Sequence, residues 1–321
     1  MSNPSVRTAS LMVLGAAGLL GALGTISTLA YGTGLSAPLF VAARAAVGAA
    51  VLGTLMATGR ARRTQLRSVP TRQRVALGAA VASNATMNLA LFMAFDAMTV
   101  ALAMTLYYSY PVIVAVTMAA RGRDPLTRVR VFALVVAMAG LALVVGVQFG
   151  PGTRASWAGI ALALLAAACQ AAYLMVSRDG YSSVPAEQAT TYSLVGGTIL
   201  STLMALLVPG AFDIAAWSSH PGAWLAILVA GTLCAALPKV LLLRGVRRLG
   251  GTRTSVIMLA EPVFGVALAA LVLRQALSVG EIIGGLAVLG VAAALQLDRT
   301  GAGEDPRSAA TAPVDAGLPG V

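Results

Sequence analysis

In this 321-residue chain the side chains that could do chemistry are few enough to name one by one. Glu261 and Pro262 interrupt the apolar run TSVIMLAEPVFG at 254–265, which also carries Met258. A carboxylate without a partner in an apolar medium costs several kcal/mol, so Glu261 must be paired, protonated or facing water. Lys239, in the preceding apolar stretch, is the nearest counter-charge by depth, and a Lys239–Glu261 pair would relieve both groups; the alternative is a lysine that snorkels to headgroups. Asn84 and Asn88 lie four apart and share one helical face. Arg44, deep in its own apolar run, falls near Asn88 at antiparallel depth, with Asp96 at the outer end. Arg44 and Asp96 therefore read as an internal polar brace or, alternatively, as part of a binding site. Tyr107 and Tyr110 share one side of an apolar helix, and Gln170 and Tyr173 stand in another. A phenol offers a flat apolar face and one polar tip, which suits a small solute with a hydrophobic side chain or, alternatively, packing between helices.

These groups bind rather than react. There is no HExxH, no paired-aspartate metal motif, no GxSxG and no Walker sequence, so neither an enzyme nor an ATP motor is expected, and no metal or cofactor is implied. His220 is the sole histidine, and Cys169 and Cys234 sit in apolar runs as small hydrophobes. The candidate substrate-binding set is Tyr107, Tyr110, Asn84, Asn88, Gln170, Tyr173, Lys239, Met258 and Glu261. Pro111 and Pro262 lack an amide donor and clash with the carbonyl four residues back, which makes them candidate hinges beside a cavity or, alternatively, packing kinks.

The elements that would position these residues are membrane spans. Hydrophobic residues make up 58% of the chain, charged residues only 10%, and mean hydropathy is +0.86. A soluble domain carries about a quarter charged residues. Apolar stretches predict ten spans at 10–31, 36–58, 75–95, 99–119, 129–148, 156–177, 188–209, 222–243, 253–273 and 279–297. The linker 59–74 holds six arginines and 121–130 holds four, whereas 31–36 and 210–221 hold none. With the positive side cytoplasmic, the N-terminus lies inside, and ten spans place the C-terminus inside as well. The formal charge of +11 comes from arginines gathered in these connectors, so membrane lipids are expected partners and nucleic acid is not. The segment 298–321, rich in Gly, Pro and Ala, reads as a disordered cytoplasmic tail.

A shift of 151 residues places Pro111 on Pro262, Val112 on Val263, Arg123 on Arg274 and Leu126 on Leu277, with Thr127 on Ser278. Five spans per copy would invert the second copy relative to the first, an arrangement that supports alternating access about a midplane site. The expected architecture is thus an all-α integral membrane protein of ten transmembrane helices in two inverted five-helix repeats, 1–148 and 149–297.

The stretch RTSVIMLAEPVFGVALAALVLRQALSVGEIIGGLAVLGVAAAL at 253–295, with LLLRGVRRLGGTRTS at 241–255, VAARAAVGAAVLG at 41–53 and MTLYYSYPVIVAV at 104–116, resembles EamA-type transporters of the drug/metabolite superfamily. The resemblance implies ten helices, a central cavity, and export of amino acids or other small metabolites as in bacterial exporters. That family often places a glutamate just after its fourth and ninth helices; here those positions hold Asp124 and Gln275. The expected function is a secondary transporter, exporter or facilitator, moving amino acids or similar metabolites across the cytoplasmic membrane. The alternatives are a proton-coupled multidrug exporter and a non-transporting scaffold. The Gly/Ala faces at 46–53 and 284–290 serve helix packing or a homodimer seam.

Overall fold

The computed structural model describes residues 4–33, 36–98, 100–122, 127–146, 156–207, 220–273 and 279–297. Every described element is helical. In chain order these are α1 (Pro4–Tyr31), α2 (Ala37–Ala57), α3 (Thr71–Ala97), α4 (Val100–Tyr107), α5 (Tyr110–Ala120), α6 (Arg128–Gly146), α7 (Trp157–Asp179), α8 (Ala186–Leu207), α9 (Pro221–Val229), a π-helical segment (Ala230–Ala236), α10 (Leu237–Leu249), α11 (Gly251–Met258), α12 (Ala260–Leu273) and α13 (Val279–Leu297). Asp124, Gln275 and the segment 298–321 lie outside the described residues.

The expected ten transmembrane helices in two inverted five-helix repeats are corrected by this structure. Among the described residues, seven helical stretches are long and apolar enough to cross a membrane: Val6–Ser27, Leu39–Ala57, Leu102–Ala120, Trp157–Asp179, Ala186–Leu207, Pro221–Leu249 and Gly251–Val272. The physical reasons are local. The stretch expected at 75–95 lies within α3, a 27-residue helix whose apolar character is thinned by Arg72, Arg74, Asn84, Asn88 and Asp96. The stretches expected at 129–148 and 279–297 contribute only the shorter apolar helices Val131–Leu143 and Ile282–Val291. Crossing about 30 Å of hydrocarbon takes about 20 residues at 1.5 Å each.

Side chains sort by solvent in the manner of a membrane protein. Leu207, Leu271, Val279 and Phe132 are exposed on the outside of the bundle, as is Trp157. Polar residues such as Asn84, Gln170, Ser177 and Thr254 are buried inside it. Large apolar groups facing outward are stable only against lipid or a partner.

Glycines set how closely the helices approach. A Cβ on Gly21 of α1 would lie 2.5 Å from the Glu261 carbonyl oxygen and 2.8 Å from the Gly265 nitrogen, so α1 rests directly on the backbone that carries Glu261. A Cβ on Gly48 of α2 would lie 2.8 Å from the Gly231 carbonyl oxygen, so α2 is seated against the π-helical segment. In α13, the Gly284 carbonyl oxygen lies 2.8 Å from where a Cβ on Gly140 of α6 would stand. Gly48 and Gly284, from the two small-residue faces, therefore serve contacts within the chain.

Candidate functional site

Three proline-marked interruptions organise the interior. Pro111 is in the first turn of α5, after the break at Ser109, whose hydroxyl donates to the Leu106 carbonyl at 2.6 Å. Pro262 is in the first turn of α12, after a break at Leu259, whose amide donates to the Val256 carbonyl at 3.1 Å. Each proline removes the amide that would have continued the preceding helix. Pro238, not singled out from the sequence, follows the π-helical segment at the second position of α10 and directly precedes Lys239. The readable signal was the proline itself within an apolar span: the missing amide leaves a carbonyl free, and a widened turn is one way to absorb it.

At the first two breaks the expected tyrosines gather around Glu261. The rings of Tyr107 and Tyr108 have centroids 5.2 Å apart, Tyr107 and Tyr110 5.5 Å, and Tyr108 and Tyr110 6.3 Å. All three are buried. The hydrogen bond to the Glu261 carboxylate comes from Tyr108, while the charge of Glu261 also bears on Tyr107 and Tyr110. Tyr108 was left out of the sequence-based set because the three-residue spacing put Tyr107 and Tyr110 on one side without it. Met258 is buried in the apolar core that also holds these rings.

Lys239 lies elsewhere. Its ammonium donates to Asn84 Oδ1 at 3.0 Å, from α10 to α3, so the Lys239–Glu261 pair considered from the sequence is not formed. Asn88 Nδ2 donates to the Asn84 backbone carbonyl at 2.8 Å, one turn back along α3. The charge of Arg44 bears on Lys239 and on Cys234 of the π-helical segment. Asp96 lies on α3 with its side chain outside the described residues.

Gln170 and Tyr173 belong to a polar stripe on α7 that includes Ser177, at steps of three and four residues that keep one face, and Tyr181 stands just past the end of the helix. All four are buried. Ser177 Oγ and Tyr181 Oη are hydrogen-bonded at 2.5 Å. The Arg247 guanidinium stands 5.3 Å from the Tyr181 ring centroid and donates to the carbonyls of Val184 at 2.9 Å and Tyr181 at 3.3 Å. Burial raises the Tyr181 phenol above its usual range, against the opposing pull of the Ser177 bond and the Arg247 charge. Beside it Arg244 pairs with Glu187. Gln188 clasps the arginine-rich linker: its Oε1 accepts from the Thr64 amide at 2.8 Å, and its Nε2 donates to the Thr64 carbonyl at 2.9 Å. The links from α10 to Tyr181, from Arg244 to Glu187 and from Gln188 to the linker were not legible beforehand, because each joins segments distant in sequence.

Among the described residues, no group of three or more His, Cys, Asp or Glu side chains could hold a metal ion. The interior thus offers an acidic point among aromatic rings, a basic point among amides, and a polar stripe leading to the arginine-rich end.

Comparison with known proteins agrees with a transport role. Residues 157–295 match the model of the EamA-like transporter family, so the chain carries an EamA-like transporter domain over that part, which contains Gln170, Tyr173, Lys239, Met258 and Glu261. No curated protein matches the chain. Among solved structures, the fold is similar to that of a protein crystal structure at TM-score 0.72 and 22% identity, over 90% of this chain and 97% of that one.

Proposed function

We propose that the protein is a secondary transporter, an exporter or facilitator, that moves amino acids or similar small metabolites across the cytoplasmic membrane by alternating access. The observation that carries this reading is the pair of ionisable side chains, Lys239 and Glu261, held inside spanning helices without neutralising each other. Ionisable groups at such depth are costly and are kept where they meet a solute, an ion or each other. Each follows a break in its helix, at the π-helical segment or at Leu259, where the backbone has a ready place to bend. Tyr107, Tyr108 and Tyr110 supply the apolar wall for a solute side chain, and Gln170 and Tyr173 its polar rim. Pro111 and Pro262 are the hinges of this reading.

The test is counterflow of radiolabelled amino acids in liposomes holding the purified protein. Glu261→Gln lowers flux of an accepted solute by about tenfold or more, the equivalent of one charge-assisted contact of about 1.5–3 kcal/mol. Wild-type flux in that variant for every accepted solute overturns the role of Glu261. The arginine-rich connectors favour an N-terminus in the cytoplasm, and impermeant labelling of single cysteines at positions 33 and 65 should then find them on opposite sides.

A second reading, a proton-coupled multidrug exporter, is favoured by the Tyr108–Glu261 hydrogen bond, which gives a buried carboxylate a partner in either protonation state. Flux that does not respond to a pH gradient excludes it.

A further inference from the structure

We infer that Lys239 and Asn84 form the docking point for a carboxylate on the transported solute. This rests on the transporter reading and narrows it to solutes that carry such a group. An ammonium has three donors. For Lys239 the partner is the neutral Asn84 Oδ1 at 3.0 Å, and among the described residues no carboxylate pairs with it. Glu261, an acidic residue of the interior, is held by Tyr108 instead. The charge of Arg44 also bears on Lys239.

Asn84 supplies the second donor. The residue is 2% exposed, and among the described residues its Nδ2 has no hydrogen-bond partner. A buried donor left without an acceptor costs about 1–3 kcal/mol, so its retention calls for an occupant. The amide is planar and its oxygen is already held by Lys239, so Nδ2 and Nζ lie at one locus, within reach of the two oxygens of one carboxylate. Asn88 bonds to the Asn84 backbone and leaves that side-chain donor open. The backbone next to Lys239 is also unusual. The π-helical segment Ala230–Ala236 and Pro238 replace the regular turn that would precede it, and π-turns recur at functional sites. The occupant is therefore a solute that places a carboxylate on Lys239 and Asn84, where α3 meets α10.

The experiment uses the full-length protein in detergent, with thermal unfolding followed at constant ionic strength. The probes are 4-methylpentanoate and its neutral isostere 4-methylpentanamide. The inference expects the carboxylate to raise the unfolding midpoint in a saturable manner, and the amide not to. Lys239→Met weakens the apparent affinity for the carboxylate by about tenfold or more, the loss of one charge-assisted contact. Asn84→Asp places a carboxylate of the protein's own beside Lys239; it folds, and it no longer responds to 4-methylpentanoate. If Lys239→Met fails to fold, Asn84→Asp decides the matter alone. Equal shifts with acid and amide, no shift with the acid, or a wild-type response in Asn84→Asp overturns the inference. Because the readout is binding, its outcome separates from transport: a carboxylate-specific shift without counterflow of any solute refutes the transporter reading alone. Counterflow that accepts amides as readily as acids refutes the docking point alone.

Discussion

Replacing Tyr108 by Phe isolates one bond in the acidic cluster. The ring stays, so its packing against Tyr107 at 5.2 Å and Tyr110 at 6.3 Å is retained, and only the hydroxyl that binds Glu261 is lost. A hydrogen bond to a charged group contributes about 1.5–3 kcal/mol. Tyr108 is 1% exposed, so water has little access to replace its hydroxyl, and the upper half of that range, about 2–3 kcal/mol, is expected. Tyr110 is equally buried, but its interaction with Glu261 is through charge alone, so Tyr110→Phe serves as the control and should cost less, at about 1 kcal/mol or below. The measurement is reversible SDS-driven unfolding in mixed micelles followed by tryptophan fluorescence, which neither substitution removes. A cycle with Glu261→Gln separates the bond from the ring. Tyr108→Phe should lose more when Glu261 is intact than when it has been replaced by glutamine, with a coupling of about 1–2 kcal/mol, since interacting neighbours are non-additive. Additivity within about 0.5 kcal/mol, or equal costs for Tyr108→Phe and Tyr110→Phe, would refute the claim that Tyr108 holds the carboxylate.

Two further outcomes follow from contacts beneath the acidic cluster or far from it. Gly21→Val forces side-chain atoms into the Glu261 carbonyl and the Gly265 amide, and because backbone cannot move aside as a flexible side chain would, destabilisation of about 1–3 kcal/mol or more is expected in the same unfolding assay. A cost below that of Gly15→Val, where nothing lies within 4 Å, would mean that α1 does not rest on α12 here. Gln188→Ala removes both bonds to Thr64, each worth about 1 kcal/mol, and should raise amide exchange across the linker 59–70 while leaving exchange in α2 unchanged. Unchanged exchange in the linker would show that its position does not depend on Gln188.

What could be read from the chain alone divides along a physical line. The residue types that matter were visible because an apolar span makes each polar group conspicuous: Glu261, Lys239, Asn84 and Gln170 stand out wherever a charge or amide is expensive. Their partners were not visible, because pairing across helices depends on rotation about each axis, and composition does not specify it. Lys239 and Glu261 had compatible depth, yet α10 turns its lysine toward α3 and Asn84 while Glu261 meets a tyrosine from the α4–α5 break. The omission of Tyr108 has a sharper cause. Spacing of three residues puts two side chains on one face only while the helix continues, and between Tyr107 and Tyr110 it does not: α4 ends at Tyr107 and α5 begins at Tyr110. Across such a break the 100° step per residue fails, and three neighbouring rings can turn to a common point. The helix count failed for the converse reason. Apolar stretches alone predicted ten spans, but the polar residues of α3, Asn84 and Asn88 among them, lower its apolar character below that of its neighbours. Asn84, one of the residues that make α3 a poor membrane span, is the one that reaches Lys239, so a polar interior and a clean hydropathy pattern were in competition at that helix, and the polar contact won.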